Sequence, residues 1–312
     1  MPPRSFTLSI ETMKHIHDYK VVDVFTTRPL AGNPVAVVFD ADGLDSGAMQ
    51  AIASWTNLSE TTFVLRPSTP AADYRLRIFT PRSELPFAGH PTLGSAHAVL
   101  EAGRATVREG GRLVQECGIG LVEVSVADSA DGADGTGGRE LMFALPAAHI
   151  TPLAAADVAE LELIVGGKLE PEAAPALVNV GPMWIILPMA DAAAVLALKP
   201  DFARLAALER RLGVTGLTVF GRHPPSSVAD IEVRAFAPSC GVVEDPVCGS
   251  GNASVAAFQW ARGLLPAAGA SYVAAQGRCV GRDGRVKVQV GAGGQVRVGG
   301  GCITCVDGQL TL

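Results

Sequence analysis

Two stretches of this chain are copies of one pattern. The first runs Arg77-Ile-Phe79-Thr-Pro81 and then Pro86-Phe-Ala-Gly89-His90-Pro-Thr-Leu-Gly-Ser-Ala. The second runs Arg234-Ala-Phe236-Ala-Pro238 and then Pro246-Val-Cys-Gly249-Ser250-Gly-Asn-Ala-Ser-Val-Ala. In each, an alternating strand ends in RxFxP, a loop follows, and PxxG opens a helix of small residues. The loop takes five steps in the first copy, Pro81 to Pro86, and eight in the second, Pro238 to Pro246. A repeated strand–loop–helix unit implies a two-lobed, pseudo-symmetric molecule. The helices TLGSAHAVL and GNASVAAFQWA carry almost no charge and are small on every face. A helix apolar all round is a buried one. Gly and Ser in mid-helix cost propensity, which makes sense where strands wrap closely around the helix. Each lobe is therefore expected to be a sheet curled around one central helix.

The remaining pattern agrees. Short apolar runs such as YKVVDVF, NPVAVVF, TTFVL, YRLRIF, WIILPM, IEVRAFA and GRVKVQV read as strands between Gly, Pro and Asp clusters. Helical periodicity is confined to 45–55, 92–102, 154–164, 201–212 and 251–263. Many strands with few helices predict an α+β fold, mostly antiparallel, rather than an alternating parallel sheet. At 312 residues there is material for two cores. The stretch 129–139, almost free of apolar residues, marks the boundary between lobes. The expected division is an N-terminal extension at 1–18, one lobe at 19–135 and another at 136–312. The last strand is positioned to cross back to the first lobe.

A net charge of −6 argues against nucleic acid as a partner. No run approaches the ~20 apolar residues that span a bilayer, and residues 1–20 lack a signal peptide's apolar core. A cytoplasmic protein without a membrane partner is expected. The six cysteines, at 117, 240, 248, 279, 302 and 305, are too sparse for a disulfide scaffold. Cys302 and Cys305 have CxxC spacing, but no second ligand pair accompanies them, so no metal site is expected. GxxxxGK[ST] is absent, no GxGxxG follows a strand and opens a helix, and no cofactor is expected.

Chemistry is expected where the repeats converge. Two helix N-termini facing one cleft offer unpaired N–H groups and partial positive charge, an anion site that needs no metal. Glu60, just ahead of the strand TTFVL, reads as a surface or capping group by itself. Delivered into that cleft, it would be desolvated into a useful acid/base range. His90 opens the first buried helix, where it can bind a substrate carboxylate, relay a proton or cap the helix. Asp245 stands before the second helix as a cap, or as an acid that positions or protonates the substrate. Ser250 is the repeat mate of His90, and Gly89, Gly249 and Gly251 let backbone approach a ligand. Cys248 has two readings: a thiol activated by the helix N-terminus, or a small buried residue in a tight turn. Its mate, Ala88, cannot move a proton.

These motifs together resemble the phenazine-biosynthesis PhzF-like isomerase family. The resemblance rests on DVFTTRPLAGNPVAVV, NLSETTF, PFAGHPTLGSAH, EDPVCGSGNAS and AQGRCVGRDGRVKVQV with VRVGG, in that order. It implies the diaminopimelate epimerase-like fold, an active site between lobes and a homodimer. It also implies a small anionic substrate, as in isomerisation of trans-2,3-dihydro-3-hydroxyanthranilate. The family's glutamate, histidine, aspartate and serine fall on Glu60, His90, Asp245 and Ser250. The expected reaction is a proton shift in which Glu60 removes and returns the proton. The alternatives are an amino-acid epimerase using Cys248 with another base, and a non-catalytic binding protein on the same fold.

Overall fold

The structure, a computed structural model, describes residues 15–129, 138–167, 169 and 174–312. Most of the expected extension (1–14) and most of the expected boundary loop (130–137) lie outside those residues.

The first half of the chain runs β1 (Ile16–Val24), β2 (Asn33–Val38), α1 (Ser46–Thr56), β3 (Thr61–Leu65), β4 (Tyr74–Phe79), β5 (Glu84–Leu85), α2 (Gly89–Glu101), β6 (Arg112–Cys117), β7 (Gly120–Ser129) and β8 (Gly138–Ala144). The second runs β9 (His149–Pro152), α3 (Ala155–Val165), β10 (Ala176–Asn179), β11 (Met183–Pro188), α4 (Ala192–Ala197), α5 (Phe202–Leu212), β12 (Gly216–Arg222), β13 (Ile231–Ala237), β14 (Val242–Asp245), α6 (Gly249–Ala261), β15 (Ala270–Gln276), β16 (Gly284–Val290) and β17 (Val296–Thr311). All five expected helices are present; α4 was not anticipated, being six residues of AAAVLA without a readable period. Both repeat helices start at the PxxG glycine and run 13 residues, with Ala88 and Cys248 as matching N-caps.

Strand pairing shows the pseudo-symmetry directly. In the first lobe β1–β2 is antiparallel, β2–β3 parallel, β3–β4 antiparallel and β4–β6 parallel. In the second, β10–β11, β11–β12, β12–β13 and β13–β15 repeat that series in order. The lobes exchange their last strands. β8 pairs with β7, and the chain then passes into β9, which pairs with β10 of the other lobe. β17 pairs with β16 over Val296–Gly299 and with β1 over Cys302–Thr311. The crossing strands meet each other, with Gly299 opposite Met142. A side chain at Gly299 would sit 2.0 Å from the Leu141 carbonyl, so only glycine allows that approach.

Each lobe is layered. Residues 90–100 of α2 are buried except His97, and a Cβ on Gly94 would come within 2.4 Å of Val35. Strands therefore close tightly on a helix that needs small residues, the physical reason for its composition. One core joins both central helices to the inner sheet faces, including Leu93, Val99, Val255 and Phe258. Outer helices cover the other faces: α1 with Phe63 and Phe79, and α3 to α5 with Leu217, Val219 and Phe236. Strand β13, with α4 packed against it, is buried at all seven positions. Cys302 and Cys305 are free thiols along β17, Cys305 lying where the pairing with β1 slips by one residue. Among the described residues, no helix is long and apolar enough to cross a membrane.

Candidate active site

The N-termini of α2 and α6 open into one cleft of about 1660 Å³ between the lobes. In each helix the third amide is unavailable. Pro91 has no N–H, and the Gly251 amide donates to Cys248 Sγ at 3.3 Å. That leaves the Gly89, His90, Gly249 and Ser250 amides, the first two of each helix, without intrahelical acceptors. Gly251 spends its N–H on that cap, is buried and does not line the cleft.

Glu60 arrives from the turn after α1. Asn57 ends that helix in the left-handed region, with its N–H on the Ala53 carbonyl. The Glu60 carbonyl then accepts from the Ala36 amide at 3.3 Å, seating the residue at the head of β3 against β2. Its carboxylate Oε2 lies 3.3 Å from His90 Nε2, with side chains 16% and 9% exposed. Burial drives the Glu60 carboxyl up to about 8, and the negative charge of nearby Asp245 adds to that. Burial likewise drives His90 down to about 3, although its ring donates to the Pro34 carbonyl. The imidazole is therefore neutral, with the Nε2 lone pair facing Glu60. Burial thus favours the uncharged form of both groups, a carboxylic acid beside a neutral ring, and the two facing atoms, Glu60 Oε2 and His90 Nε2, have no other hydrogen-bond partner among the described residues.

Asp245 is held from the opposite lobe. Asn33 Nδ2 donates to Asp245 Oδ1 at 3.1 Å and to the Val247 carbonyl at 3.0 Å. The Val247 amide donates to the same Oδ1 at 3.0 Å. Burial still raises this carboxyl to about 6. Ser250 Oγ accepts from Trp184 Nε1 at 3.1 Å and lies 3.5 Å from Cys248 Sγ. The Cys248 thiol is pushed well above its ordinary range, first by burial and then by the Asp245 charge. Of its two readings, the structure favours the small buried turn residue: a protonated thiol whose sulfur caps Gly251.

The repeat geometry exposes an asymmetry. Thr61 faces Phe79 and Leu217 faces Phe236, and those phenylalanines are repeat mates. Glu60 therefore corresponds to Gly216. A Cβ there would meet the Phe236 carbonyl at 2.0 Å and the Trp184 ring at 2.8 Å. Where lobe one has Glu60 against His90, lobe two has Trp184 against Ser250.

Sequence reading missed Asn33, Trp184 and the role of the motif arginines. Arg77 pairs in bidentate fashion with Glu84, at 2.6–2.7 Å, and Arg234 with Glu244, at 2.8–3.0 Å. The signal was present: each glutamate stands two residues before the proline of PxxG. Arg234 also donates to the Val195 and Leu198 carbonyls. Among the described residues, no three His, Cys, Asp or Glu side chains group as metal ligands.

The profile of the phenazine biosynthesis-like proteins matches residues 22–308. A Schizosaccharomyces pombe protein described as antisense-enhancing sequence 1 is 40% identical, over 94% of this chain and 98% of its own. The trans-2,3-dihydro-3-hydroxyanthranilate isomerase of Pseudomonas aeruginosa is 35% identical, over 95% of this chain and 100% of its own. The crystal structure of a PhzF-family phenazine biosynthesis protein from Bacillus anthracis superposes with a TM-score of 0.83. It covers 96% of this chain and 100% of that one at 24% identity, a likeness of fold.

Proposed function

The chain belongs to the phenazine biosynthesis-like protein family and is an isomerase; from that premise we propose that Glu60 carries a proton between two atoms of a small cyclic or amino-acid-like carboxylate. The observation that carries this reading is the buried Glu60–His90 pair at 3.3 Å, whose counterpart in the other lobe is a glycine with no room for a side chain. In the ionised form, Glu60 takes an acidic C–H proton. The same carboxyl group, now protonated, returns it at another carbon on the same face of the substrate. The substrate carboxylate rests on the four helix-entrance amides and Ser250 Oγ, where fixed dipoles offset the charge that develops as the proton leaves. His90 aims Glu60 and Asp245 positions the substrate.

A two-thiol epimerisation lacks support, since Ala88 stands opposite Cys248 and that thiol is held protonated. The test is turnover of trans-2,3-dihydro-3-hydroxyanthranilate and a panel of amino acids in deuterated water. One base should return part of the hydrogen unexchanged; two bases should place solvent deuterium in an inverted product. Glu60→Gln should lose about 10²–10⁴-fold in rate, whereas Cys248→Ala should keep most of it. Full activity in Glu60→Gln would sink the assignment.

A further inference from the structure

The cleft is larger than the proposed reaction requires. Sites for drug-sized ligands enclose about 300–1,000 Å³, and this one measures about 1660 Å³. Its floor is accounted for by Glu60, His90, Asp245 and the helix entrances. Three cations line the remainder: Arg82, Lys199 and Arg234. Arg234 is buried and committed to Glu244. Arg82 and Lys199 are exposed, and neither forms an ion pair with any described residue.

They come from opposite lobes and both are anchored. Arg82 follows the RxFxP strand, its amide bonded to Thr80 Oγ1 at 3.1 Å. Its guanidinium reaches across the cleft to Gly241, where a Cβ would lie 3.3 Å from Nη2. Lys199 follows Leu198, whose carbonyl is fixed by Arg234 Nη1 at 2.7 Å. Apolar side chains, among them Phe87, Phe143, Leu145 and Trp184, line the same cleft. Apolar walls, two exposed cations and the helix-entrance amides lining one cleft suit an elongated ligand that is charged at both ends.

We infer that Arg82 and Lys199 form a second anion subsite, so that the substrate carries a second carboxylate or comparable anionic group beyond the one on the floor. The inference rests on the reading of the floor given above, and it separates this chain's substrate from a single-ring monocarboxylate. Arg82 supplies a planar fork that grips a carboxylate bidentately, and Lys199 a point charge.

Calorimetric titration with benzoate, with benzoates bearing a terminal carboxyalkyl arm of one to four carbons, and with the matched arm methyl esters tests it. At least one dicarboxylate should bind tenfold or more tightly than its ester. Arg82→Met and Lys199→Met should each remove most of that advantage and the double variant all of it, with benzoate affinity held within about twofold. Ser250→Ala should weaken benzoate and the dicarboxylates alike. Equal affinity of acid and ester, an advantage that survives the double variant, or no binding of any dicarboxylate would overturn the subsite. Benzoate binding that ignores Ser250→Ala would instead count against the floor assignment.

Discussion

On the proposed mechanism, Glu60 has to lose its proton before it can act. Its carboxyl is raised to about 8 by burial and by the Asp245 charge, so kcat/KM should climb with pH and level off above about 8. Asp245→Asn removes the negative neighbour and should move that limb to lower pH; a limb that stays put would separate the two groups. The same shift links to stability. A carboxyl raised in the folded state favours folding below its unfolded value near 4.5 and loses that contribution as pH rises towards 8. Relative to Glu60→Gln, the wild type should therefore lose stability across that window at up to about 1.4 kcal/mol per pH unit, read by denaturant titration at several pH values. His90, Asp245 and Ser250 were legible as candidates because each borders a repeat motif, and Glu60 only through the family resemblance. Their protonation states were not, because burial is contributed by side chains scattered along the chain. Trp184 and Asn33 were illegible for the same reason: each reaches the site across more than 60 residues of sequence.

The repeated unit of β-strand, loop and helix carries its own brace. Each RxFxP arginine lies over its own motif phenylalanine, 5.1 Å from the ring centre for Arg77 and 4.8 Å for Arg234. Each then grips the loop glutamate that precedes PxxG. The braces differ in burial: side chains 19% and 42% exposed for Arg77–Glu84, against 7% and 8% for Arg234–Glu244. Removing one partner of a buried pair strands a charge and costs about 3–5 kcal/mol, whereas an exposed pair is worth about 0–1 kcal/mol. Arg234→Met should therefore lower stability by several times more than Arg77→Met in matched unfolding curves. Similar losses would mean the buried brace is not coupled to the rest of lobe two. Glu244 immediately precedes Asp245, so the inner brace also fixes a site residue. At this scale the sequence was most readable, since helix composition and strand alternation are local. What escaped were β6, β8 and β15, which none of the strand-like runs covers, and elements too short for a period: α4, the two-residue β5 and the four-residue strands β9, β10 and β14.

For the molecule as a whole, the exchanged strands matter most. Neither lobe has a complete sheet without chain from the other, so calorimetry should give one cooperative transition, and two separated transitions would contradict the exchange. Ending the chain at Gly301 should cost lobe one its β17 partner and leave both lobes without native tertiary signal in near-ultraviolet dichroism. Pseudo-symmetry was legible from the repeat. The pairing of β8 with β17 was not, because strand partners distant in sequence leave no local pattern. The exchange also has a consequence during synthesis. β1 emerges first, but its partner Cys302–Thr311 is made about 280 residues later. At about 5–20 residues per second, one edge of β1 waits roughly 15–60 s, open to any other strand that would pair with it. Crowded polysomes should thus be the setting in which this protein is most apt to aggregate, and slowing translation should make it worse.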